Sequence, residues 1–184
     1  GLLPLTLMLA LIYVEERRAL QESTGTNFKE VAVEAARRIE MHVTRGMNEA
    51  QQLATAPFLR TAVSEANRTY EGKDAQSILD IIKDWQQRWG QRDKRSEFPL
   101  FVNRIVTNYL IRWHEIRKSD YVGILVTDGQ GALVVSSIPQ VEYSYAKTAW
   151  WQAVVKSGSQ HPYVGEIAFD PAFGTHVVIV AAPI

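Results

Sequence analysis

The chain has 184 residues, no cysteine, and twenty basic and twenty acidic residues, which give a formal net charge of zero. This balance argues against nucleic-acid binding, because nucleic-acid-binding proteins concentrate basic residues on one surface. The lack of cysteine excludes disulfides, thiolate metal sites and thiol catalysis. The length suits one domain with an extension, or two small units.

The first fourteen residues carry no charge, which predicts part of a membrane helix. A complete span needs about 20 apolar residues, so we expect the natural chain to continue upstream. No signal-peptide cleavage pattern follows; four charged residues, 15–18, and a helical pattern come next. A signal-peptide core and a buried helix are the alternatives for this segment.

Residues 15–55 predict one continuous helix, which we interpret as a stalk. Apolar residues recur there at spacings of three to four, the pattern of a helix with one apolar face. They include Phe28, Val31, Ala35, Ile39, Met47 and Leu53. So long a helix is typical of a stalk or a coiled-coil pair, so we expect a homodimer through this segment.

Shorter amphipathic helices are predicted over residues 57–66, 77–88 and 101–117. At Tyr121 the pattern changes from helical to extended. Strands are then predicted over 121–127 and 132–137, a helix over 144–157, and strands over 163–169 and 175–182.

The predicted fold class is therefore α+β. It consists of a long N-terminal stalk helix and a PAS-like antiparallel sheet of at least four strands, flanked by helices. The side chains expected in its core are Ile124, Val126, Val134, Val178 and Val180.

Sequence motifs in the last third of the chain follow a known order. Residues 126–137 give a strand, an Asp-x-x-Gly turn and a strand ending in small polar residues. Residues 149–154 place Trp150 and Trp151 on a helix, and residues 161–167 and 177–184 give two more strands. With the helix break at residues 53–59, these motifs resemble the Cache family, PAS-like extracytoplasmic sensor domains of bacterial membrane receptors.

The resemblance implies a Cache-type sensor that is truncated at both ends. Its sensor domain covers residues 56–184, is incomplete at the C-terminus and lacks the family's fifth strand. The receptor would be a histidine kinase, chemoreceptor or cyclase of the inner membrane, with residues after about 15 in the periplasm. Amino-acid-binding members carry an arginine two positions before the tryptophan, where this chain has Thr148 beside Lys147. Tyr143 matches a tyrosine of that subfamily, but the residues give no support for an amino-acid ligand.

The candidate ligand site is a set of aromatic and charged side chains around the paired tryptophans. Aromatic walls with a few polar groups are typical of small-molecule pockets. The predicted ligand-binding residues are Tyr143, Lys147, Trp150, Tyr163 and Asp170. Lys147 and Asp170 would orient a polar or zwitterionic ligand, although an exposed helix lysine is the alternative for Lys147. We interpret Asp128 as a turn residue that bonds the backbone.

No catalytic constellation, phosphate loop or metal-ligand spacing is present in the sequence. We therefore predict no enzyme activity, no cofactor and no metal. Two functions remain open. The first is small-molecule sensing by a membrane receptor; the second is a non-catalytic dimerisation or protein-interaction module of a membrane protein.

Overall fold

The computed structural model describes residues 3–91, 104–140, 142–156 and 161–184. The helices found there are α1 (Leu3–Ala54), α2 (Pro57–Arg68), α3 (Ala75–Gly90), α4 (Arg104–Ile116) and α5 (Ala149–Lys156). The strands are β1 (Leu125–Thr127), β2 (Leu133–Ser136), β3 (Tyr163–Val164), β4 (Ala168–Asp170), β5 (Thr175–Val177) and β6 (Val180–Ala181). The predicted α+β class is confirmed. The predicted start of α4 at Phe101 lies outside the described residues.

The chain divides into two compact units, Gly1–His42 and Val43–Ile184. In the first unit every described side chain is exposed, including the apolar side chains of Phe28 (72% exposed) and Val31. Among the residues that the structure describes, no helix has a stretch long and apolar enough to cross a membrane.

The first core of the second unit lies where α2 and α4 pack on the β1–β2 hairpin. Helix α2 begins at Pro57, whose fixed φ and missing N–H suit a first helical turn. Leu59 and Leu110 are almost fully buried in this core. Its buried side chains are Leu59, Ala62, Val63, Val106, Leu110, Val126, Val134 and Val135.

The second core joins α3 to the same hairpin. Helix α3 is capped by Asp74, whose carboxylate accepts a hydrogen bond from the Ser77 N–H at 2.8 Å. Its buried members are Tyr70, Ile82, Trp89, Ala132, Leu133, Tyr143 and Tyr145. Strand β2 supplies side chains to both cores, which explains why all four of its residues are buried.

The β1–β2 hairpin is antiparallel, with Val126 opposite Val135. Its turn ends at Gly131, whose φ of +80° suits glycine, and a Cβ there would lie 2.8 Å from the Ala146 Cα. A bridge between Ala132 and Ser144 adds a third short segment beside β2.

The last two predicted strands form one interrupted hairpin. Strand β3 pairs with β6 and β4 with β5, both antiparallel. The register shifts by one residue between the two pairs, because Val164 faces Val180 whereas Ala168 faces Val177.

The described strands thus form three two-stranded pairs, and a single sheet of four strands is not seen among them. Of the core residues expected from sequence, Val126 and Val134 are buried. Ile124, Val178 and Val180 are half-buried.

Replacing Leu110 by Ala tests the first core. Leu110 is 0% exposed, so the variant leaves a cavity and is expected to lose about 3–4 kcal/mol of unfolding free energy, measured by urea denaturation. The matched control is Leu79→Ala on α3, where the side chain is 50% exposed and the loss should stay below about 1 kcal/mol. Equal losses in the two variants would contradict the core assignment.

Candidate functional site

A cavity of about 540 Å³ lies within the second unit. Its wall is built by the last turns of α1, the β1–β2 hairpin, α5 and the C-terminal strands. Small-molecule pockets in proteins measure roughly 300–1,000 Å³, so the cavity has the size of a ligand site.

The wall is mainly apolar and rich in aromatic rings. The aromatic residues that line it are Trp113, Tyr121, Tyr145, Trp150, Trp151 and Phe173. Aliphatic side chains come from both hairpins and include Ile124, Ile138, Val178, Ile179 and Val180. Tyr145 and Trp150 lie 5.8 Å apart between ring centroids, which fixes their relative orientation.

Helix α1 forms one side of the cavity through Gly46, Glu49, Ala50 and Leu53. Gly46 is buried, and a Cβ placed on it would lie 3.6 Å from the Val180 side chain. The Val180 side chain and the Tyr121 ring therefore pack directly against the helix at Gly46.

A hydrogen-bonded group holds α1 against the segment that enters β1. The Tyr121 hydroxyl donates to the Glu49 carboxylate at 2.7 Å. Arg117 lies 3.6 Å from the same Glu49 oxygen, and its guanidinium stacks 4.3 Å from the Trp113 ring centroid. Burial, followed by the hydrogen bond to Glu49, raises the pKa of Tyr121, so its hydroxyl keeps its proton and remains a donor.

Asp128 also lines the cavity, but its acceptor positions are occupied. One carboxylate oxygen accepts the N–H groups of Gln130 at 2.8 Å and Ala132 at 2.9 Å. The other accepts the Tyr70 hydroxyl at 2.8 Å. Burial raises the pKa of Asp128, which is 4% exposed. These bonds match the turn role interpreted from the sequence.

The cavity brings together two of the five residues predicted to bind ligand. Trp150 and Asp170 line it. Tyr143 is buried instead against Trp85 and Trp89, with ring centroids 6.2 and 5.6 Å away. Burial raises the pKa of Tyr143 to about 12.

The other two predicted residues, Lys147 and Tyr163, also lie outside the cavity wall. Lys147 is exposed, and Tyr163 is half-buried and pairs with Ala181 on β6. A role of Tyr143, Lys147 or Tyr163 in ligand binding stays a prediction.

Glu49, Trp113 and Tyr121 line the cavity but were not predicted as site residues. The sequence contains one signal for them. Glu49 follows Gly46 by three residues and precedes Leu53 by four, so a carboxylate occupies a position on the apolar stripe of α1. A charge on an apolar face indicates a buried partner, here Tyr121 and Arg117.

Substitutions at Asp128 test its role in the turn. Asp128→Ala removes the acceptor of two backbone N–H groups and of the Tyr70 hydroxyl, and is expected to cost about 3 kcal/mol of unfolding free energy. Asp128→Asn keeps an acceptor oxygen and should lose much less. Urea denaturation of both variants measures the difference; similar losses would show that these hydrogen bonds contribute little.

The raised pKa of Asp128 also predicts how the stability of the protein depends on pH. Because burial raises the pKa of Asp128, the protonated carboxyl stabilises the folded state below the ordinary pKa of 3.8, and this contribution is lost as pH rises through the folded-state pKa. Asp128→Asn does not titrate. Its stability relative to the wild type should therefore increase as the pH rises from about 4 toward 7, and a pH-independent difference would contradict the raised pKa.

Within the described ranges, no group of three or more His, Asp or Glu side chains is arranged to hold a metal ion. Comparison with family models, curated proteins and solved structures gives no significant match. The function proposed for the protein therefore rests on the geometry and chemistry of the cavity.

Proposed function

We propose that the protein is the extracytoplasmic sensing part of a bacterial membrane receptor, and that a small molecule binds in the cavity beside α1. The observation that supports this proposal most strongly is the cavity itself, about 540 Å³ in volume and lined by six aromatic side chains. Such rings offer a large contact area with little conformational freedom to lose on binding. The resemblance of residues 126–184 to Cache domains points to the same function.

The position of α1 suggests how binding would be transmitted. Ala50 and Leu53 of α1 and Trp150 of α5 all line the cavity, so a ligand there would lie beside both helices. A ligand that contacts α1 differently in two arrangements of the helix shifts the population between them. Helix α1 is also the element that both units share, since it runs from Leu3 to Ala54. We propose that it is the stalk through which the sensor reports.

A PAS-like sheet of at least four strands is part of this proposal. Residues of β1 and of β6 line the same cavity, so the edges of the two hairpins border one space. If the cavity contracted around a ligand, the two hairpins would move closer together, toward the arrangement of a single sheet.

Membrane attachment and dimerisation are further parts of the proposal. The uncharged residues 1–14 support a membrane segment. In the first unit the exposed apolar side chains of Phe28, Val31 and Ile39 support a helix pair, because apolar side chains on one helical face are stabilised by a partner.

One experiment addresses both location and dimerisation, because the chain has no native cysteine. Ile39→Cys in the full chain, expressed in bacterial membranes, should react with a membrane-impermeant maleimide in intact cells and form disulfide-linked dimers under mild oxidation. The control, Arg37→Cys, lies about 200° around the helix and should be labelled equally but cross-linked at least fivefold less. Labelling only after lysis would contradict the location, and equal cross-linking would contradict the dimer face.

Filling the cavity tests ligand binding. A thermal-shift screen of metabolites is expected to yield compounds that raise the Tm by about 5–10 °C at a concentration near 100 Kd, equivalent to about 2.7 kcal/mol. Ala50→Trp places an indole in the cavity and should abolish this shift, at a stability cost of about 1–3 kcal/mol. The control Ala36→Trp, at an exposed position of the same helix, should respond like the wild type.

A wild-type protein that responds to no compound, or an Ala50→Trp variant that responds undiminished, would contradict ligand binding in this cavity. Either outcome favours the second candidate function, a protein-interaction module without a small-molecule ligand. That candidate has its own support in the exposed apolar side chains of the C-terminal hairpin that lie outside the cavity wall, Val164, Ile167 and Phe169.

A further inference from the structure

The charged side chains that line the cavity all have the same sign. Glu49, Asp128 and Asp170 contribute carboxyl groups to the wall. Among the described residues that line it, there is no lysine, arginine or histidine. An anionic ligand would therefore lose its hydration without gaining a cationic partner, which is a large free-energy cost.

Two of the three carboxyl groups have capacity for a ligand. One oxygen of Asp170 accepts the Ala172 N–H at 2.8 Å, and its other oxygen makes no hydrogen bond to a described residue. In Glu49, one oxygen holds Tyr121 and approaches Arg117, whereas the second oxygen makes no hydrogen bond within the described ranges. Asp128 has both oxygens occupied by the turn and by Tyr70, so it serves the fold.

Two basic side chains, Lys147 and Arg117, lie outside the cavity wall and do not reverse its negative charge. Lys147 is exposed and lies outside the wall. Arg117 lies outside it as well, stacked on the Trp113 ring and 3.6 Å from Glu49. Arg117 partly neutralises Glu49, which leaves Asp170 as the stronger anchor for a positive charge.

The aromatic wall adds a second source of attraction for a cation. Six rings, including both indoles of the Trp150–Trp151 pair, border the cavity. A cation over an aromatic face is attracted by the negative face of the ring, and tryptophan gives the largest effect. The same rings exclude water and would contact an apolar ligand body.

From these observations we infer that the ligand is a small organic cation, an amine with an apolar or aromatic body whose ammonium group binds at Asp170, with Glu49 as a second carboxylate of the same wall. This inference rests on the proposed sensing function and specifies its ligand class. The ligand is not expected to carry a carboxylate, because the described wall has no lysine, arginine or histidine to pair with one.

Charge-matched probes distinguish this inference from its alternatives. Thermal shifts of the full chain are measured near neutral pH with phenylethyl, indolylethyl and hexyl bodies, each carried as an amine, an alcohol and a carboxylate. At least one amine is expected to raise the Tm. Its Kd should be at least tenfold lower than the Kd of the alcohol and of the carboxylate with the same body. Asp170→Asn should raise that Kd about tenfold and Glu49→Gln by a smaller factor. The control Asp80→Asn, an exposed carboxylate of α3 outside the wall, should leave the Kd unchanged.

Other outcomes would overturn the inferred charge of the ligand, its anchoring residues or the ligand class as a whole. An alcohol or a carboxylate that binds as tightly as its amine would overturn the inferred charge of the ligand and leave the proposed sensing function standing. An amine whose Kd is unaffected by Asp170→Asn and Glu49→Gln would overturn the assigned anchors. Failure of all probes, together with a metabolite screen in which nothing binds, would overturn the ligand class and the proposed function together.

Discussion

The hydrogen bond between the Tyr121 hydroxyl and Glu49 is the interaction on which the cavity depends. It joins residues 72 positions apart at a distance of 2.7 Å, and so ties α1 to the segment that leads into β1. A hydrogen bond to a charged group contributes about 1.5–3 kcal/mol, more than a typical neutral bond. Because Glu49 and Tyr121 both line the cavity, this bond holds two parts of its wall together.

The two cores explain why a cavity remains at this place. Strand β2 is covered by the cluster around Leu110 and by the cluster around Trp89, and these side chains fill the space on its sides. Beyond β1 no comparable cluster occurs among the described residues, and Val180 of β6 approaches α1 at Gly46. Small-molecule sites are commonly clefts of roughly 300–1,000 Å³ lined mainly by apolar and aromatic side chains. An apolar space of this size is therefore typical of a binding site.

Local sequence patterns predicted the helices and the turn between β1 and β2. Which side chains are buried together or line the cavity depends on contacts between distant parts of the chain. The Asp128 turn and the strands beside it follow from residues close together in the chain, as does the placement of Trp150 on a helix. The burial of Tyr143 against Trp85 depends on packing between segments almost sixty residues apart, which no periodicity contains. The pairing of Glu49 with Tyr121 likewise joins residues far apart in the chain. Two of the residues predicted from sequence, Trp150 and Asp170, line the cavity, whereas the wall residues on α1 were not predicted.

Isoleucine methyl NMR of the full chain tests the cavity as the ligand site most directly. With a saturating concentration of the probe amine that binds most tightly, the methyl resonances of Ile124, Ile138 and Ile179, which line the cavity, are expected to shift. Those of Ile82, in the second core, and Ile167, on the exposed hairpin surface, should stay in place. Shifts confined to Ile167 or Ile82, or no shifts at all, would contradict an amine-binding site between α1 and the strands.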